Sequence, residues 1–75
     1  MNVNELSEKL REMYRGASQG DAVVMVHLFG IKYANEIRES GASPKEIVLA
    51  AGMSDSYGVE VNKGINLAKF VQIRT

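Results

Sequence analysis

The chain has no cysteine, no tryptophan, one proline and one histidine, and its nine Lys and Arg are matched by nine Asp and Glu in 75 residues. Each scarcity excludes something. Without thiols there are no disulfides and no thiolate metal sites, which suits a reducing, intracellular setting. His27 alone cannot build a metal site, and no cofactor is expected. A formal net charge of zero removes the simplest electrostatic argument for nucleic-acid binding, a strongly basic domain. Apolar runs such as Ala22 to Val26 are far too short to cross a bilayer. Met1 leads directly into the polar segment Asn2 to Glu8, without the basic flank and apolar stretch of a signal peptide, so a cytoplasmic location is expected.

An apolar share of 45% with 24% charged residues fits a folded globular domain and argues against disorder. Residues 1–75 are read as a single domain. So short a chain buries a limited core, and a partner subunit would add to its stability. Charge is uneven along the chain. From Val61 onward Lys63, Lys69 and Arg74 stand without an acid, whereas Asp21 to Gly64 holds more acids than bases.

Periodicity predicts an all-α fold of four or five short helices. Asn4 is a suitable cap for a first helix whose apolar stripe, Val3, Leu6, Leu10 and Met13, recurs at helical spacing and ends at Gly16. That stripe is expected to pack on the rest of the chain, with a dimer contact as the alternative. A second element runs from Asp21 to a stop at Ser40-Gly41. Its beginning, Ala22 to Val26, favours helix, a short strand before a helix near His27 being the alternative.

Ser43-Pro44-Lys45-Glu46 is the clearest start signal: a capping serine, a proline at the first helical position and a glutamate three residues after the cap. The helix it opens, Pro44 to Ala51, should end through a left-handed Gly52. Met53 then turns inward, Ser54 caps a helix from Asp55 to about Lys63, and Gly64 stops it. The segment from Ile65 onward is a closing helix, with Phe70 to Arg74 open between a frayed helix end and a short strand.

Two short helices joined by a tight glycine turn make a helix-turn-helix arrangement, with Val48, Gly52, Met53 and Val61 in the places that need a packing residue, a turn, a plug and an anchor. The stretch SPKEIVLAAGMSDSYGVEVNKG resembles the helix-turn-helix of the phage-repressor and Cro class, and GIKYANEIRESGA resembles the helix and linker before it. The whole chain is similar to small bacterial proteins described as helix-turn-helix-like, some associated with restriction and defence genes. Two positions depart from the class. Gly58 replaces an aliphatic core residue at about 1 kcal/mol of helix propensity, and Val48 replaces a common alanine. A close approach of Gly58 to Val48 or Ala51 would reconcile the two.

The resemblance implies double-stranded DNA binding, in transcriptional control or a defence-associated role, with a homodimer as the expected assembly. Its outward residues would be Ser54, Asp55, Ser56, Val59, Glu60 and Lys63. Serine hydroxyls and helix-start amides suit phosphate, Glu60 suits cytosine N4 and Val59 suits a thymine methyl, while Lys45, Lys63, Lys69 and Arg74 can neutralise phosphates. Asp55 and Glu60 oppose a polyanion, and the four cations fall short of the roughly six to ten phosphate contacts of a typical site. The alternative is a protein-interaction module that presents Tyr57, Val59 and the first-helix stripe. An enzyme is not expected. His27 lies in an apolar run, Glu36 and Glu39 lie on a solvated helix face, and Gly16, Gly20 and Gly30 lack phosphate-loop spacing.

Overall fold

In the computed structural model, which describes residues 1–74, five helices follow one another: α1 Val3–Arg15, α2 Ala22–Lys32, α3 Ala34–Ser40, α4 Pro44–Ala50 and α5 Tyr57–Leu67. The fold is all-α, and Ala22 to Val26 is helical. Among the described residues there is no strand: Phe70 to Arg74 follow α5 as turn and coil. No helix among them is long and apolar enough to cross a membrane.

Helix α1 starts earlier than Asn4. Asn2 is the cap, its Oδ1 accepting from the Glu5 N–H at 2.9 Å while Glu5 Oε1 accepts from the Asn2 N–H at 3.1 Å. This reciprocal pair satisfies two amides that a cap at Asn4 would leave open. The stripe packs inward: Leu6 and Leu10 are fully buried among Val26, Phe29, Ile37, Ile47, Val48 and Val61. It is therefore part of the chain's own core, and the dimer-contact alternative for this stripe falls.

The second element is two helices. The backbone bends at Tyr33, which ends α2 and opens α3, and α3 stops at Gly41 with φ of 74°. Asp21 occupies the cap position of α2, but its side chain makes no capping hydrogen bond.

Gly64 does not stop α5. It lies inside the helix, against Gly30 of α2, where the two backbones nearly touch. A Cβ on Gly30 would lie 2.9 Å from Gly64 Cα and would collide with the Val61 carbonyl; one on Gly64 would collide with the His27 carbonyl. Two glycines facing each other let α2 and α5 cross at backbone contact, a role that helix-breaking propensity alone does not reveal.

Candidate nucleic-acid interface

Helix α4 begins as its sequence predicts. Ser43 Oγ accepts from the Glu46 N–H at 3.1 Å, Glu46 Oε1 accepts from the Ser43 N–H at 3.0 Å, and Pro44 fills the first turn. Its end is a Schellman turn. The Met53 N–H donates to the Val48 carbonyl at 2.9 Å and the Gly52 N–H to the Leu49 carbonyl at 3.0 Å, with Gly52 at φ of 78°. Glycine takes that left-handed conformation without the strain a Cβ would bring. Met53 is half-buried against the core beneath the turn.

From there the chain departs from expectation. Ser54 is not the cap of α5; the helix begins at Tyr57, after a single turn in which Tyr57 and Gly58 donate to the carbonyls of Ser54 and Asp55 at 3.1 and 2.9 Å. These two amides are already committed and are not open to a phosphate. Ser54 and Ser56 share a hydroxyl contact at 3.1 Å, and Ser54 Oγ accepts from the Ser56 N–H at 3.4 Å; Ser56 occupies the cap position of α5, but its side chain makes no capping hydrogen bond. Gly58 is buried against another backbone, as expected, but its nearest neighbours are Pro44 and Lys45 rather than Val48 or Ala51. An added Cβ would lie 3.3 Å from Lys45 N and Cα. The second helix thus rests on the first turn of α4, and Val48 fills the core independently.

Helix α1 holds the pair from behind. Arg11 Nη2 donates to the Ala50 carbonyl at 3.1 Å and Nε to the Ala51 carbonyl at 3.4 Å, placing a cation at the negative end of α4 where carbonyls lack helical partners. One turn later, the Tyr14 and Tyr57 hydroxyls meet at 3.1 Å, with their rings edge to face at 5.6 Å. This hydrogen bond, the electrostatic influence of Tyr14 and partial burial raise the Tyr57 hydroxyl above the ordinary tyrosine value. Tyr57 is therefore packed between helices rather than displayed. Neither link was legible in sequence, because each joins residues some forty positions apart.

The outward surface of the motif carries Lys45, Ser54, Asp55, Ser56, Val59 and Lys63, all exposed. Lys45, Asp55 and Val59 come together on a shallow groove between the starts of α4 and α5, which Asn62 also lines. Lys69 and Arg74 are exposed beyond the other end of α5 and do not join that groove. Glu60 stands apart from its neighbours. It is half-buried at the α2 side of α5, where His27 Nε2 donates to Oε1 at 2.8 Å and Lys63 Nζ to Oε2 at 3.2 Å. The His27 hydrogen bond first, and the Lys63 one second, hold its carboxyl below the ordinary carboxylate range. The Gly30–Gly64 crossing makes this possible, since His27 and Glu60 lie about one turn before those glycines.

Sequence reasoning also passed over Asn62 and Asn66, which are exposed on α5 with Val59 and Lys63. Their signal was available: two amides at i and i+4 project from neighbouring positions of one helix surface.

Two helices joined by a left-handed glycine turn, braced by an earlier helix and leaving the second helix's outer surface free, define a helix-turn-helix domain. The chain matches the family model described as HTH-like domain over residues 2–74, and it belongs to that family. No curated protein and no solved structure matches it.

Proposed function

We propose that this chain binds double-stranded DNA through α5, as a transcriptional regulator or a defence-associated accessory protein of the cytoplasm, with a binding rather than a catalytic role. The observation that carries this is the free outer surface of α5 in a chain of the HTH-like family. The similarity of Ser43 to Gly64 to the phage-repressor and Cro class supports the same docking, with the outer surface of α5 lying in the major groove. The pairing of Glu60 with His27 and Lys63 removes one of the two objections to an acidic second helix, because the carboxylate is no longer a free charge facing phosphate. Lys45 and Lys63 flank the exposed surface, and Lys69 and Arg74 add charge at its far end. Four cations per chain favour a dimer on DNA, where the count doubles.

Binding to random-sequence duplex at low and moderate salt tests this. Affinity should fall steeply with salt, and Lys45→Glu and Lys63→Glu should each weaken it across all sequences. Undetectable binding at low salt, or indifference to both changes, rejects the proposal.

A second function, docking another protein, is favoured by one observation. Phe70 is 84% exposed and adjoins Leu67, itself 45% exposed, at the end of α5. Exposed aromatics of this kind often anchor protein contacts. Sedimentation of wild type against Phe70→Ser distinguishes a self-contact there from an unoccupied surface.

A further inference from the structure

Resting on the DNA-binding proposal above, we infer that α5 is built to read A·T base pairs in the major groove, with Asn62 and Asn66 as the adenine-recognising side chains. The four base pairs differ in what they present in that groove, and each calls for a different side chain. Guanine O6 and N7 call for arginine or lysine, cytosine N4 for a carboxylate, adenine N6 and N7 for the amide of asparagine or glutamine, and the thymine methyl for an apolar contact.

The outer surface of α5 answers this code unevenly. No arginine or glutamine lies on the helix, whose sequence is YGVEVNKGINL. Its single lysine, Lys63, donates to both oxygens of Glu60, at 3.4 and 3.2 Å. Its single carboxylate, Glu60, is drawn to the α2 side by His27 at 2.8 Å. The natural readers of guanine and cytosine are thus paired with each other, and Glu60 with α2 as well, although Lys63 keeps 59% of its side chain exposed within that pair. The exposed positions without a side-chain partner are Val59, Asn62, Asn66 and Leu67. Val59, 60% exposed, is an apolar side chain with no intramolecular use, as a thymine-methyl contact requires. Neither asparagine amide makes a side-chain hydrogen bond among the described residues, so both are free to take a bidentate partner.

His27 acquires a role in this scheme. It does not touch DNA; it is a positioning residue that withholds Glu60 from the groove. The glycine crossing brings α2 close enough for it to do so.

The test is selection of this chain on a pool of short random duplexes at low salt, followed by anisotropy on the enriched sequence. A·T steps should dominate the contacted positions. Asn62→Ala and Asn66→Ala, which sit on exposed helix positions and improve helix propensity, should keep the fold. Each should lower affinity for the enriched duplex by roughly 5- to 100-fold, the value of one good bidentate pair, while leaving random-duplex affinity unchanged. Replacing the contacted adenines with 7-deazaadenine, which removes N7, should mimic both changes and separates groove contact from minor-groove shape. His27→Ala should admit C·G at one position by releasing Glu60.

Enrichment of G·C steps, or a preference that survives both asparagine changes and the deaza substitution, overturns the inference while DNA binding stands. Salt-dependent binding without any sequence preference does the same. Absence of binding to every duplex overturns the DNA-binding proposal and this one with it.

Discussion

Replacing Gly64 with alanine is the sharpest probe of how this chain is held together. In an ordinary helix interior the change stabilises by about 1 kcal/mol through backbone entropy. Here the new Cβ would lie 2.9 Å from Gly30 Cα and 3.1 Å from the His27 carbonyl carbon, and would collide with the His27 carbonyl oxygen. Ordinary carbon contacts sit at about 3.5–4.0 Å. All three neighbours are backbone, so no side-chain rotation relieves the overlap, and α2 and α5 must part by roughly 0.5–1 Å. A gap of that size forfeits about a quarter to a half of each dispersion contact across the interface that buries Val26, Phe29 and Val61. Overpacking costs of about 2–4 kcal/mol against the gain of about 1 leave a net loss of roughly 1–3 kcal/mol. A domain this small has only about 4–11 kcal/mol in total. Gly58→Ala is the internal control. It carries the same propensity gain on the same helix, but its Cβ would meet Lys45 N and Cα at 3.3 Å, where a shift of a few tenths of an ångström suffices. It should therefore fall within about 1 kcal/mol of wild type. Urea denaturation followed by far-ultraviolet circular dichroism reads both, and Gly64→Ala should also lower the melting temperature by roughly 5–20 °C. A Gly64→Ala protein as stable as Gly58→Ala would refute the backbone contact between α2 and α5. The double change with Gly30→Ala should cost less than the two single costs added, because one separation relieves both clashes.

Ser43→Ala removes an observed capping box and should cost about 1 kcal/mol in the same denaturation assay, whereas Ser54→Ala, which caps no helix, should cost less than half of that. Arg11→Met keeps the apolar stem but strips two carbonyls of their donor, so it should destabilise by about 1 kcal/mol and raise amide exchange at the turn after α4. Glu60 has a depressed folded-state pKa, so its stabilising contribution is complete above the ordinary carboxylate range and is lost as pH falls through the lower, folded value; Glu60→Gln should flatten that acid limb of the stability profile. Tyr57 has a raised one, which means stability declines as pH climbs past the ordinary tyrosine value. Tyr14→Phe should bring the Tyr57 transition back toward that value in a tyrosinate absorbance titration.

What the sequence made legible here is what short-range chemistry determines. Ser43, Pro44 and Glu46 form a start signal within one helical turn, and Gly52 with Met53 forms a stop, because caps and left-handed turns involve only residues three to five positions apart. The buried stripe of α1 was equally readable from its period. Errors arose where a local signal had two uses. Asn2 and Asn4 are both acceptable caps, and only the reciprocal bond with Glu5 selects Asn2. Gly64 and Gly41 look alike on paper; one terminates a helix at φ of 74°, and the other lies in mid-helix because Gly30, far away in sequence, needs it there. The bend at Tyr33 has no proline or glycine to announce it. At the candidate site, exposure of Lys45, Val59 and Lys63 followed from position on the motif, but the withdrawal of Glu60 depends on a histidine 33 positions away in sequence.

These long-range contacts converge on α5, and they divide its surface by consequence. One side carries Gly58 against the backbone of α4, a second carries Val61 and Gly64 against α2, and Glu60 marks the border of that second side. Tyr57 and Ile65 also pack against the core, whereas Val59, Asn62, Lys63 and Asn66 are exposed and make no side-chain hydrogen bond among the described residues beyond the Lys63 pair with Glu60. Substitutions there should change stability by no more than about 0.5 kcal/mol, the usual range for surface sites. Stability and recognition are thus separable on a single helix of eleven residues. A set of alanine changes along α5 should split into two groups: one that unfolds the chain in less urea and one that alters only its partner. Finding that Asn62→Ala or Val59→Ala unfolds the protein as readily as Val61→Ala would mean that the outer surface is covered from within, and that α5 is not the helix presented to DNA.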